Sequence, residues 1–152
     1  MLTVESRVNF NDASFEELLN ALHDGVYITD GQGQTLKVNQ AYERLTGLNG
    51  AELLGRPMQE LVKSGVISQS ASLRVLQDGR PVSVMQSLSH GKKLLVSATP
   101  ILAADQSIRY VVSTVRDMTE LLRIKRERDE LQQLKQLRTS TCLLYTSDAA
   151  DE

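Results

Sequence analysis

His23-Asp-Gly-Val-Tyr-Ile-Thr-Asp-Gly-Gln-Gly-Gln-Thr-Leu-Lys-Val-Asn-Gln-Ala-Tyr-Glu-Arg-Leu-Thr-Gly47 is the stretch that decides how the chain is read. Gly25 to Thr29 is β-branched and aromatic, composition that suits a pleated, half-buried surface. Asp30-Gly-Gln-Gly33 is turn chemistry, because glycine accepts positive φ and the Asp side chain can bond backbone N–H groups ahead of it. Thr35 to Val38 alternates again, so the two runs form a hairpin. Asn39 then offers a side-chain oxygen to the unpaired N–H groups of a helix start, and that helix runs through Leu45 to a stop at Gly47.

The same reasoning extends in both directions. Upstream, Ser14 with Glu17 is a capping-box pair, and Phe15, Leu18, Leu19 and Leu22 make one apolar helical stripe, so an amphipathic helix is expected over 14–23. Downstream, Asn49 with Glu52 opens a single turn over Ala51 to Leu54, Pro57 suits the first turn of a helix from Met58 to Ser64, and Ser70 to Gln77 forms another. From Val82 the period becomes that of strands: Val82 to Leu88, Lys93 to Leu102 and Ile108 to Val115. The expected fold is α+β, with a five-stranded antiparallel sheet in the order β-β-short helices-β-β-β. Leu94-Leu-Val96 and Tyr110-Val-Val112 are apolar on consecutive positions, so the second face of that sheet needs a cover. The helix over 14–22, a partner subunit, or both would supply it.

Composition narrows the function. A chain of 152 residues holds about one domain. With 17 basic and 19 acidic residues it is not basic enough for a typical nucleic-acid binder, and no Trp and 4% aromatics leave few stacking platforms. One cysteine excludes an intramolecular disulfide. No apolar run is long enough to span a bilayer, and Met1 to Phe10 lacks the pattern of a signal peptide. A cytoplasmic location is therefore expected, with no membrane contact.

Four segments together resemble a PAS domain. His23-Asp-Gly-Val-Tyr-Ile-Thr-Asp30 is similar to the family's first strand, and Val38-Asn-Gln-Ala-Tyr-Glu-Arg-Leu-Thr-Gly47 to its second strand and first short helix. Leu53-Leu-Gly-Arg56 is similar to the next turn, and Val115-Arg-Asp-Met-Thr-Glu120 to the close of the last strand before the signalling helix. The resemblance covers Ser14 to Glu120. It is closest to the N-terminal PAS domain of bacterial sigma-54-dependent enhancer-binding activators, which implies a sensory and dimerisation module without enzyme activity, upstream of an ATPase and a helix-turn-helix. The same motifs occur in sensor histidine kinases and cyclic-dinucleotide enzymes, and a free-standing α+β enzyme or ligand carrier is a rival of another class. The expected organisation is an N-terminal tail over 1–13, the PAS domain over 14–118 and a signalling helix over 119–141.

The resemblance also implies a cavity between sheet and helices. Its expected lining is Val62, Ile67, Leu73 and Leu76 from the helices, with Val84, Val96, Ala98, Val112 and Thr114 from the strands; core residues at these periods would look the same. Haem needs an axial ligand such as His, and His23 and His90 fall outside the 58–77 helices, so both read as structural. Photoactive flavin chemistry in the family uses a cysteine within those helices, and FAD-binding members usually carry Trp near the flavin; neither is present there. Haem, flavin and covalent chromophores are thus disfavoured, no metal site is expected, and a small organic effector remains.

Arg116, Asp117 and Thr119 are the expected relay from sheet to helix. Phe15, Leu18, Leu19 and Leu22, with Ile124, Leu131 and Leu134, are the expected homodimer and coiled-coil positions, although Glu127 and Arg138 interrupt the heptad seam. Cys142 to Glu152 matches a translated transposase sequencing adapter and is set aside as a reagent-derived tail. Without its three acids and no bases, the net charge of −2 becomes +1. The natural chain is then expected to diverge after Thr141.

Overall fold

The computed structural model describes residues 9–65, 70–87 and 91–150, with side chains as far as Thr141. One antiparallel sheet has the strand order β2-β1-β5-β4-β3. Its strands are β1 Gly25–Asp30, β2 Thr35–Val38, β3 Val82–Ser87, β4 Lys93–Leu102 and β5 Ile108–Asp117. Helix α1, Ala13–Asn20, precedes β1; α2 Gln40–Thr46, α3 Gly50–Leu53, α4 Met58–Lys63 and α5 Ala71–Asp78 fill the connection from β2 to β3; α6, Thr119–Ala150, follows β5. Residues through Asp117 make one compact unit, and the chain from Met118 onward makes another. The α+β class and the order of elements agree with the sequence reading.

Local chemistry sets these elements. In the β1–β2 turn the Asp30 carboxylate accepts the N–H groups of Gln32 and Gln34, each at 2.9 Å. Gly31 packs where any Cβ would collide with the Ile108 carbonyl oxygen, so the hairpin can approach β5 only without a side chain there. A Cβ on Gly25 would stand 2.9 Å from the Tyr42 Cα, so this glycine lets α2 settle directly on β1.

Asn39 holds three elements at one point. Its Oδ1 accepts from Tyr42 N, capping α2, at 2.9 Å and from Val26 N at 2.8 Å. Its Nδ2 donates to the Leu19 carbonyl at 2.8 Å and the Asp24 carbonyl at 3.1 Å. Two acceptor and two donor sites are all an amide side chain offers, and Asn39 is 1% exposed. One residue thereby ties the end of α1 and the start of β1 to the start of α2.

Helices α2–α5 fall within a residue or so of the sequence reading, and the larger differences are in α1 and α6. Helix α1 starts at Ala13 because Asp12, not Ser14, is its cap, accepting from Ser14 N at 2.8 Å; a carboxylate at that point also faces the positive end of the helix. It stops at Asn20, short of 22–23, where the Leu19 carbonyl accepts from both Leu22 N and Asn39 Nδ2 and the Asn20 Oδ1 accepts from Gln40 N at 2.9 Å. Helix α6 continues past Thr141 to Ala150.

Candidate functional site

The sheet has two faces with different chemistry. On the inner face, toward α2–α5, Tyr27, Leu61, Val75, Leu94, Val111 and Val115 are fully buried. Antiparallel partners point to the same side of a sheet, and the register pairs Val96 with Val115 and Ala98 with Ser113. Odd-numbered residues of β5 from Val111 to Val115 therefore face the helices.

Polar groups on this inner face are matched to one another. The Thr35 hydroxyl donates to the Arg56 carbonyl at 3.0 Å, which leaves its oxygen to accept from the Tyr27 hydroxyl at 2.6 Å. Ser72 on α5 and Ser113 on β5 share a buried hydrogen bond of 2.8 Å. The rings of Tyr27 and Tyr42 stack at 5.4 Å. Burial pushes the Tyr27 phenol up to about 12, offset in part by its bond to Thr35, and burial with Tyr27 beside it pushes Tyr42 higher still. Both stay neutral near pH 7. Among the described residues no buried side-chain polar atom lacks a partner, so a polar ligand on this side would have to displace existing bonds.

The expected cavity lining divides between the faces. Val96 and Ala98 belong to the core cluster, and Val62, Leu73, Leu76 and Val84 pack against it half-buried; Ile67 lies outside the described residues. Val112 and Thr114 do not join them and are on the opposite face, paired with Ile28 and Val26 across β1. That is a correction of parity. Tyr110, Val112 and Thr114 are as strand-like as Val111, Ser113 and Val115, and nothing within β5 alone says which set faces inward. The buried hydroxyls of Tyr27, Thr35, Ser72 and Ser113 were missed as well. Their signal is weak, since a serine inside a strand is recognisable as inward-facing only once its partner on α5 is known.

On the outer face the strip from Val26 to Thr114 forms the floor of an apolar groove of about 520 Å³, with Phe15, Leu19 and Leu22 of the α1 region and Phe10 as its wall. Helix α1 is an incomplete cover, with Leu18 70% and Leu22 47% exposed. Phe10 meets Phe15 edge-on at 5.5 Å and Tyr110 at 5.3 Å. Of the expected dimer positions, Phe15, Leu19 and Leu22 line this groove and Leu18 does not.

Arg116, near the end of β5, donates from Nη2 and Nε to Asp24 Oδ2 at 3.0 and 3.3 Å. The bond, then the charge, of Asp24 holds the guanidinium above its ordinary range. Both groups are well exposed, so water screens the pair and its contribution is mainly geometric. Asp117 pairs opposite Leu94 in β4, and Thr119 is the first residue of α6. Along α6, Ile124, Leu131 and Leu134 are at least half exposed, as are Leu121 and Leu137, which the heptad reading left out. Among the described residues no three His, Cys, Asp or Glu gather as a metal cluster, and no helix is long and apolar enough to cross a membrane. His23 is exposed, while His90 lies outside the described residues.

The result is an α+β domain: a five-stranded antiparallel sheet with α2–α5 on one face and a long helix after its central strand. A family model described as the PAS fold matches residues 19–123, more than half of the 152 residues, and the chain belongs to that family. The PAS domain of BvgS from Bordetella pertussis is similar in structure, with a TM-score of 0.54 at 18% identity, covering 79% of this chain and 95% of that one. A sensory box sensor histidine kinase from Vibrio cholerae gives 0.50 at 19% identity, covering 68% and 89%. An RNA-binding light-oxygen-voltage receptor gives 0.60 at 17% identity, covering 90% of this chain and 40% of that one. At such identities the likeness is one of fold. A search of curated proteins finds no match.

Proposed function

We propose that this PAS domain is a non-catalytic sensory and dimerisation module that regulates a sigma-54-dependent transcriptional activator. The observation that carries the relay is the course of β5. It is hydrogen-bonded on both sides, to β1 and β4, and after Asp117 only Met118 intervenes before α6 begins. A change in the sheet's register or packing reaches the helix through that short passage, where Arg116, Asp117 and Thr119 are the relay residues. A ligand acts only by binding two arrangements of the domain unequally. The effector is a small organic molecule rather than haem, flavin or a metal, the module works in the cytoplasm as a homodimer, and it contacts neither nucleic acid nor membrane.

Site-directed crosslinking tests the dimer. With Cys142 replaced by Ser, cysteines placed singly at Ile124 or Leu131 are expected to crosslink well, and one at Arg126 poorly. Equal crosslinking at all three positions, or none, overturns the paired helix. The output is tested by the intact gene beyond codon 141, where an ATPase with a P-loop is expected. A kinase domain there favours the second reading, a sensor histidine kinase, and removes the activator.

A further inference from the structure

We propose that the outer groove is a ligand site in its own right and takes a free single-chain amphiphile with an anionic head, of the fatty-carboxylate type. Small-molecule sites are concave and mostly apolar, with few polar groups placed to orient the ligand. This groove, at about 520 Å³, has that character. Its floor is Val26, Ile28 and Val112, and its wall is aromatic. Phe10 stands edge-on to both Phe15 and Tyr110, which props α1 away from the sheet instead of letting it close down.

The head group follows from charge. Among the described residues that line the groove, only Arg109 is charged. Its guanidinium carbon lies 5.3 Å from the centre of the Tyr110 ring, against the aromatic wall. A planar guanidinium beside an apolar channel suits a carboxylate, which it can bind through two parallel hydrogen bonds. A cationic head is repelled from that position, and a neutral head can accept only a single, weaker hydrogen bond there. The groove opens on the sheet face opposite the closed polar pairs Tyr27–Thr35 and Ser72–Ser113, so occupancy requires none of those bonds to break. A second copy of the chain is the other possible cover, but the groove is a hollow walled by α1, and the most exposed apolar side chain of α1, Leu18, is not among its lining residues. The site stands independently of any relay through α6.

Isothermal titration of the full chain with decanoate, below its aggregation concentration, tests the assignment. Saturable binding of one decanoate per chain is expected. Arg109→Met should weaken decanoate about tenfold while changing decanol binding far less, since the charge-assisted pairing is made only with the carboxylate. Val112→Trp, which fills the floor, should abolish binding of both. Thermal melting monitors the fold of each variant, and Arg109 is exposed, so its replacement keeps the test valid even if Val112→Trp unfolds. Absence of saturable binding overturns the proposal. So does decanoate binding indifferent to Arg109→Met, a folded Val112→Trp that still binds, co-sedimentation with phosphatidylglycerol vesicles in place of free decanoate, or a groove closed by dimerisation with no ligand uptake.

Discussion

At the scale of single residues, Asn39 shows how one amide can set the relation of several elements. Its four bonds go to backbone groups, and alanine would leave the Val26 and Tyr42 N–H groups and the Leu19 and Asp24 carbonyls to find other partners. Burial makes unpaired groups costly, so Asn39→Ala should destabilise the domain by about 2–4 kcal/mol, read as a lowered urea midpoint with an unchanged slope. The tyrosine pair supplies a pH dependence. Both phenols have folded-state values raised above the ordinary 10.0, Tyr27 to about 12, so folding favours the neutral form. That stabilisation is fully present below pH 10 and is lost as pH rises through about 12. Stability measured across this alkaline window should fall, and Tyr27→Phe with Tyr42→Phe should flatten the fall; an equally steep loss in the double variant would assign it elsewhere.

Among elements, β5 is where sequence and structure part. The Asp-Gly-Gln-Gly turn, the Asn39 and Asn49 caps and the glycine stops were legible because each depends on neighbours within four residues, and β1, β2 and α2–α5 fell close to their expected places. The inward set of β5 depends on residues far away, Ser72 on α5 and the register with β4, and no local period could choose it. Helix α1 was misjudged for the same reason: its end is bonded to Asn39 and Gln40, far along the chain. The Ser72–Ser113 bond gives the parity a thermodynamic test. Either serine changed to alanine leaves the other hydroxyl buried without its partner, at about 1–3 kcal/mol, whereas the double change should cost clearly less than the sum of the two. Strict additivity in that cycle would mean that the two hydroxyls do not meet.

For the whole molecule, the PAS unit was readable from the order of four motifs, but the use of α6 was less so. Its apolar residues Leu121, Ile124, Leu131, Leu134 and Leu137 are interspersed with charges, and Arg123 pairs with both Glu120 and Glu127 on the helix itself. Such pairs support an exposed helix only modestly, so the apolar positions need another role, and a partner helix is the one proposed. Leu131→Glu with Leu134→Glu should weaken self-association at least about tenfold by sedimentation equilibrium, since charge at two seam positions opposes the packing. The same helix carries the residues matched to adapter. The gene taken from an independent source should diverge from this sequence after Thr141, and a faithful repeat of Cys142 to Glu152 would make that tail native.

Because β5 between Tyr110 and Val115 serves a packed chamber with its odd residues and an apolar groove with its even ones, the two can drift apart in evolution by substitution alone. A change at Val112 or Thr114 alters the groove and leaves the Ser113 side untouched. Length is another matter. Deleting one residue inside β5 would send Ser113's hydroxyl to the groove and a groove side chain into the core, so indels in this strand should be purged, while the turn from Ala103 to Ser107 is free to absorb them.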